Sequence, residues 1–324
     1  MKFLFTKLTA ISVLLLALAT NSVADPEAGE LVSSGRVNEA VTALATRQDA
    51  ASLNLLSRAY FSMDSWDEAV KYGERAVGLE PMNSNYHLWL GRAYGRKAGD
   101  SNPLRAAGLA KKARNEFERA VQLDPANVPA RVDLAQYYTE APSFMGGGLD
   151  KARAQAGQVQ GSDPAMAHLI QARVAEKDKR YSDAEAEYKS AIQQAKNPAD
   201  MWLQLADFYR QRERYDDMQS AIQSAMAQPH KSAESYFDAG NQLFLSSRDF
   251  PAAVDYLQKY LASGELVESA PAFRAHYLMG QLQEKMGHNA AAATEYQASL
   301  ALASGFAPAT RALGQLAHAP RPGV

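Results

Sequence analysis

The side chains of this chain that could do chemistry are six histidines, a run of three glycines and a few acidic pairs. The histidines stand at 87, 168, 230, 276, 288 and 318, and no two of them are four apart as the helical metal motif H-E-x-x-H requires. Cysteine is absent, so there is no thiol nucleophile, and no G-x-S-x-G turn occurs. The glycines, Gly146, Gly147 and Gly148, invite a comparison with phosphate loops. Such a loop follows a strand and ends in Gly-Lys-Ser/Thr, whereas this run leads into Leu149-Asp150-Lys151, with a carboxylate where a bound anion would sit. The glycines are instead expected to let a lengthened turn double back, with Phe144 and Met145 tucked against a neighbouring helix. Asp67-Glu68 and Asp216-Asp217 fall at helix starts, where capping and the helix dipole account for them. These patterns predict no catalytic residue, no metal and no cofactor.

Composition narrows the class. The chain opens with Lys2 and Lys7, a run of roughly a dozen apolar residues and then Ser22-Val23-Ala24, the pattern of a cleaved export signal covering residues 1–24. The run is shorter than the ~20 apolar residues a membrane span needs. Cleavage removes two lysines and no acids, taking the formal charge from -2 to -4. With no cysteine, neither a disulfide framework nor a lipid anchor on Cys is available. Residues 25–324 are therefore expected to form an exported domain, placed in a bacterial periplasm and stabilised by apolar burial alone.

Further along the chain, Leu56-Ser57-Arg58-Ala59-Tyr60 returns 34 residues later as Leu90-Gly91-Arg92-Ala93-Tyr94. Each block leads to alanines at helical spacing and then a proline stop: Ala69, Ala76 and Pro81 after the first, Ala113, Ala120 and Pro125 after the second. Two antiparallel helices approach closely only where side chains are small, so these alanines and glycines mark the crossing of a pair, while the tyrosine is expected to fill the gap toward the next pair. One pair cannot bury its own face, but stacked pairs can.

These motifs resemble the tetratricopeptide repeat, a 34-residue helix–turn–helix unit. Trp202, Leu205, Ala206, Tyr209 and Tyr215 repeat the pattern, as do Tyr181, Ala184, Tyr188 and Ala191. Looser copies follow at Gly240, Phe250 and Ala253 and at Gly280, Gly287, Ala292 and Tyr296, with a shortened first unit around Gly35 and Ala40 and a closing helix over 308–318. The expected fold is an all-α, right-handed solenoid of about eight repeats.

Two repeats are longer than the rest. The tyrosine and the second-helix alanine lie 9 apart at Tyr60 and Ala69, but 19 apart at Tyr94 and Ala113 and 14 apart at Tyr138 and Ala152. Both additions, near 95–112 and 139–150, fall in the turn within a repeat. Equivalent turns share one edge of a solenoid, so the inserts should be spatial neighbours forming a lobe. Asn102-Pro103 reads as a helix start that would lengthen the second helix backward.

The resemblance implies that first helices line a concave groove. The position used there for polar contact with a partner reads Arg58, Arg92, Gln136, Arg173 and Asp207 in successive repeats, with Arg96 and Asn54 one turn away on the same side. Arginines stacked in one groove repel one another unless acids, water or a ligand offset them, which points to an anionic element in the partner. Residues 91–131 carry nine Lys or Arg and four acids. The net negative charge and export signal disfavour nucleic acid. The expected function is a non-catalytic scaffold of the cell envelope that holds a peptide or protein in its groove. The second reading is a carrier or assembly factor for an anionic envelope polymer or glycan, and the third an enzyme with a site in the inserted lobe.

Overall fold

A computed structural model describes residues 26–229 and 231–318. The expected export signal, 1–24, lies outside them, as do Asp25, His230 and residues 319–324 of the expected domain. Among the described residues all regular structure is helical. Eight antiparallel pairs follow in order: α1 (Pro26–Ser33) with α2 (Val37–Leu44), α3 (Ala50–Ser62) with α4 (Trp66–Leu79), α5 (Ser84–Gly99) with α6 (Pro103–Leu123), and α7 (Val128–Glu140) with α8 (Leu149–Val159). The series continues with α9 (Pro164–Lys177) and α10 (Tyr181–Gln194), α11 (Pro198–Gln211) and α12 (Tyr215–Met226), α13 (Glu234–Leu245) and α14 (Phe250–Ala262), and α15 (Ala272–Lys285) and α16 (Asn289–Leu302). A final helix, α17 (Ala307–His318), closes the series. None of the described helices is long and apolar enough to cross a membrane.

The repeat residues act as their sizes demand. A Cβ on Gly91 would lie 2.7 Å from the Phe117 ring, and one on Gly280 2.4 Å from the Tyr296 ring, so in these two pairs the glycine of the first helix is where the aromatic of the second seats. Ala69, Ala113, Ala152, Ala184 and Ala292 are fully buried at the crossings. The terminal tyrosine works in the direction opposite to that expected from the sequence. Tyr138 donates to Glu118 at 2.9 Å, Tyr209 to Glu185 at 3.0 Å and Tyr94 to Glu74, each latching its repeat onto the preceding pair. Burial and the carboxylate acceptor push the Tyr138 and Tyr209 hydroxyls up to about 12.

Histidine contributes a second kind of latch. His87, His168 and His276 bond through Nδ1 to Glu116, Glu187 and Glu295 on the second helix of their own pair, at 2.6, 2.7 and 2.7 Å. They are interhelical braces, and no group of three or more possible metal ligands occurs among the described residues. His87 also places Nε2 3.0 Å from the Pro81 carbonyl. Both of its neighbours are acceptors, so only the doubly protonated ring satisfies them. Burial opposes that charge, but the bonds to Glu116 and Pro81 and the Glu116 charge outweigh it and raise the pKa above the ordinary value. A raised folded pKa gives stability that is full below the unfolded value of about 6.5 and fades as pH rises through the folded one. His87→Gln should therefore cost most near pH 5.5 and progressively less toward pH 8.5 in urea denaturation. An equal cost at both ends would refute the charged latch.

The ends of the stack meet. Gly35, φ 77°, packs its Cα face on Pro271 and Ala272. Arg274 on α15 donates through Nε to the Ser62 carbonyl at 2.9 Å and pairs with Asp64 at 2.5 Å. Arg58 on α3 pairs with Glu268 at 2.5 Å. Asn38 on α2 donates to the Ala301 carbonyl and accepts from the Ser304 N–H, both at 2.9 Å. Val32, Val37, Leu44, Met63, Phe273, Phe306 and Ala309 form one apolar cluster across this seam. The stack thus closes on itself, and its first-helix side becomes the wall of a central space open to solvent.

A central chamber and its rim

Tyr260 shows how the chain prepares the seam. Its buried hydroxyl donates to the Ala270 carbonyl at 2.5 Å and accepts from the Val267 N–H at 2.9 Å, which fixes the connection between α14 and α15. That connection, residues 263–271, is the longest between two repeats and carries Glu268 and Pro271 to the opposite end of the stack.

The chamber inside has a volume of about 1200 Å³. One wall comes from α3, α5 and α7, the other from α13 and α15, and its aromatic lining includes Phe61, Trp66, Trp89, Phe237, Phe244 and Tyr277. A smaller, polar recess of about 390 Å³ lies between α7, α9 and α11 and shares Gln136 and Glu140 with it.

The residues singled out by spacing separate into distinct roles. Arg92, Arg96 and Gln136 line the chamber, and Gln136, Arg173 and Asp207 the recess. Arg58 and Arg92 stack on Trp89, 5.1 and 4.6 Å from its centroid, while pairing with Glu268 and with Asp133 at 2.5 Å. Arg173 donates to Gln204 at 3.1 Å, and Asp207 accepts from Arg210 at 2.6 Å. Arg96 differs. It lies 5.3 Å from the Trp66 centroid and has no carboxylate partner among the described residues. Asn54 departs from expectation: it is 3% exposed, lines neither space, and its Oδ1 has no hydrogen-bond partner. Four residues advance a helix by about 400°, so Asn54 sits about 40° off the Arg58 stripe, and that rotation carries it into the packed side.

Counter-charges thus come from the protein itself. Asp64, Asp133, Glu140 and Glu268 on the chamber wall pair with Arg274, Arg92, Lys177 and Arg58. The mutual repulsion expected of stacked arginines is relieved internally, and the residual demand for an anion is centred on Arg96. Beside the chamber, on α13, the Asp238 carboxyl is pushed up to about 7 by burial and then by the charges of Glu234, Asp200 and Asp207.

Both inserts reach the chamber, as their shared edge predicts. The first contributes Gly95, Arg96, Ala98 and Ala110, the second Ala141, Pro142 and Met145. The first insert is helical, lengthening α5 and α6 on either side of Asp100–Asn102, and Asn102 caps α6 by accepting the Arg105 N–H at 3.1 Å. The second is a 3-10 turn, Ser143–Met145, followed by the glycines. Gly146 has φ 90°, and a Cβ on Gly147 would lie 1.8 Å from the Ala141 carbonyl oxygen. The three glycine amides donate to the carbonyls of Ser143, Pro142 and Tyr138 at 2.9, 3.1 and 2.8 Å, which leaves none to cradle a phosphate. Met145 is half-buried against the chamber, and its carbonyl accepts from Arg114 at 3.1 Å and Tyr137 at 2.9 Å. Phe144 does not tuck in as expected: it is 86% exposed, because the turn is closed by these backbone bonds without its ring.

A tetratricopeptide-repeat family model matches residues 146–199 and 242–305. No curated protein matches the sequence. Among solved structures, the chain is similar to a thermophilic TPR protein of Thermus thermophilus, with 21% identity over 56% of this chain and 95% of that one and a TM-score of 0.48. It is similar to a tetratricopeptide repeat protein from Parabacteroides merdae ATCC 43184, with 15% identity, coverage of 83% and 99% and a TM-score of 0.43. It is also similar to the APC/C hetero-tetramer Cut9-Hcn1, with 14% identity over 90% of this chain and 54% of that one and a TM-score of 0.41.

The residues missed from sequence are those that come from the far side of the ring: Phe237, Phe244, Glu268, Arg274 and Tyr277. Trp89, directly before Leu90 of the repeat motif, was the available signal for the near side.

Proposed function

We propose that this chain is a non-catalytic, exported scaffold of the cell envelope whose central chamber holds a short peptide segment bearing a carboxylate. One observation carries the reading: Arg96 stands over Trp66 in an aromatic-lined chamber where the carboxylates of the wall already have protein partners. An arginine without a counter-ion favours an anion, and the aromatic wall favours apolar or planar groups beside it. The chamber slightly exceeds the ~300–1,000 Å³ of common small-ligand sites, which suits a few residues of peptide better than a folded partner. A polyanionic glycan would ask for several free cations in a row, and Arg58 and Arg92 are engaged by Glu268 and Asp133.

The test uses a phage-displayed random peptide library selected on the full chain, with binders resynthesised and titrated by fluorescence. Arg96→Glu should weaken every selected peptide by at least about tenfold while leaving the melting temperature unchanged, since a charge-assisted bond is worth about 1.5–3 kcal/mol. Selected peptides that bind Arg96→Glu and Trp66→Ala as they bind the parent chain would sink the reading.

A further inference from the structure

The glycine turn is built more firmly than a spacer needs. Three amide donors of its own backbone, the Arg114 guanidinium, the Tyr137 hydroxyl and the Lys151 ammonium all bond to carbonyls in or beside it. Gly147 cannot be replaced without collision with the Ala141 backbone, and Gly146 holds φ 90°, which disfavours a side chain. Yet this rigid turn presents a bare Phe144 to solvent. The turn closes on its own backbone bonds and leaves the ring no packing partner, and the ring's position gives that exposure a use. Pro142 and Met145, two positions before it and one after it in the chain, line the chamber, so the turn that carries Phe144 forms part of the chamber wall although the ring itself does not line it.

We infer that Phe144 is a rim contact of the chamber, against which an apolar side chain of the bound peptide packs where the peptide leaves the chamber. The inference rests on the peptide reading above and adds a second recognition element to it: an acidic residue inside on Arg96, then an apolar residue outside on Phe144. The other exposed apolar residue of the inserts, Leu104, has its nearest lining residues, Ala98 and Ala110, six positions away on either side and is not included. A fixed turn keeps the ring in one place without an ordering cost at binding, so contact area on it converts into affinity.

The experiment uses the same resynthesised peptides, with Phe144→Ser as the variant; the ring is exposed, so folding and melting temperature should be unaffected. The expected result is a roughly tenfold loss of affinity on Phe144→Ser, a loss that disappears for peptides whose apolar residue at a constant separation from the acid is changed to serine. Full binding by Phe144→Ser, alongside loss on Arg96→Glu, would overturn the rim contact and leave the chamber reading standing. Peptides indifferent to both would remove the two together. A Phe144-dependent dimer in analytical ultracentrifugation, with no change in peptide affinity, would assign the ring to a second copy of the chain and overturn the inference.

Discussion

Gly35→Val opens the ring. Gly35 sits at φ 77°, where a side chain is disfavoured, and a Cβ there would lie 2.6 Å from the Ala272 nitrogen and 2.7 Å from the Pro271 Cβ. The left-handed backbone costs a β-branched residue about 1–2 kcal/mol. The collision with α15 adds an overpacking cost of about 1–3 kcal/mol. The obstruction is backbone and a proline ring, so a rotamer change cannot relieve it, and the two ends must separate. A control isolates that part. Gly287 has the same conformation, φ 81°, with nothing within 4 Å of its Cβ, so Gly287→Val carries the backbone cost alone. In chemical denaturation Gly35→Val should lose about 1–3 kcal/mol more than Gly287→Val. Small-angle scattering should show a larger radius of gyration for Gly35→Val only, and acrylamide should quench Trp66 and Trp89 more readily. Two variants with equal stability loss and unchanged scattering would mean that closure does not depend on this contact.

How much of this was legible in the sequence follows from the range of each interaction. The 34-residue echo between Leu56 and Leu90 reports contact between consecutive pairs, and the pairs are where it put them. Insert lengths and their common edge were readable by the same arithmetic, and Gly95, Arg96, Ala98 and Ala110 of the first and Ala141, Pro142 and Met145 of the second line one space. Closure was not readable. Arg58 meets Glu268, and Arg274 meets Asp64, across 210 residues with no periodic signal to join them. The arginine stripe was found for that reason, but its partners were not, and so the sequence overstated its free charge. Phe144 failed differently: hydrophobicity argued for burial, while the geometry of a turn closed by glycine amides left the ring no surface to meet.

Tyr260→Phe should weaken the seam from within. The tyrosine is fully buried, and burial pushes its hydroxyl up to about 12. That hydroxyl is the shared partner of the Ala270 carbonyl and the Val267 N–H. Removing it leaves a donor and an acceptor stranded, each at about 1–3 kcal/mol, so a loss of about 2–4 kcal/mol is expected where water cannot replace it fully. The consequence reaches beyond the site, because the released connection carries Glu268 to Arg58 and Pro271 to Gly35. Arg58 in turn covers the Trp89 ring. Tyr260→Phe should therefore speed amide exchange at Val267 and raise acrylamide quenching of the chamber tryptophans. Tyr296→Phe provides the comparison: an equally buried ring whose hydroxyl bonds Glu284 at 2.8 Å within the pair α15 and α16. It should lower stability without exposing the tryptophans. If both variants leave quenching unchanged, the Tyr260 anchor does not control the chamber wall, and the connection holds its place through Glu268 and Pro271 alone.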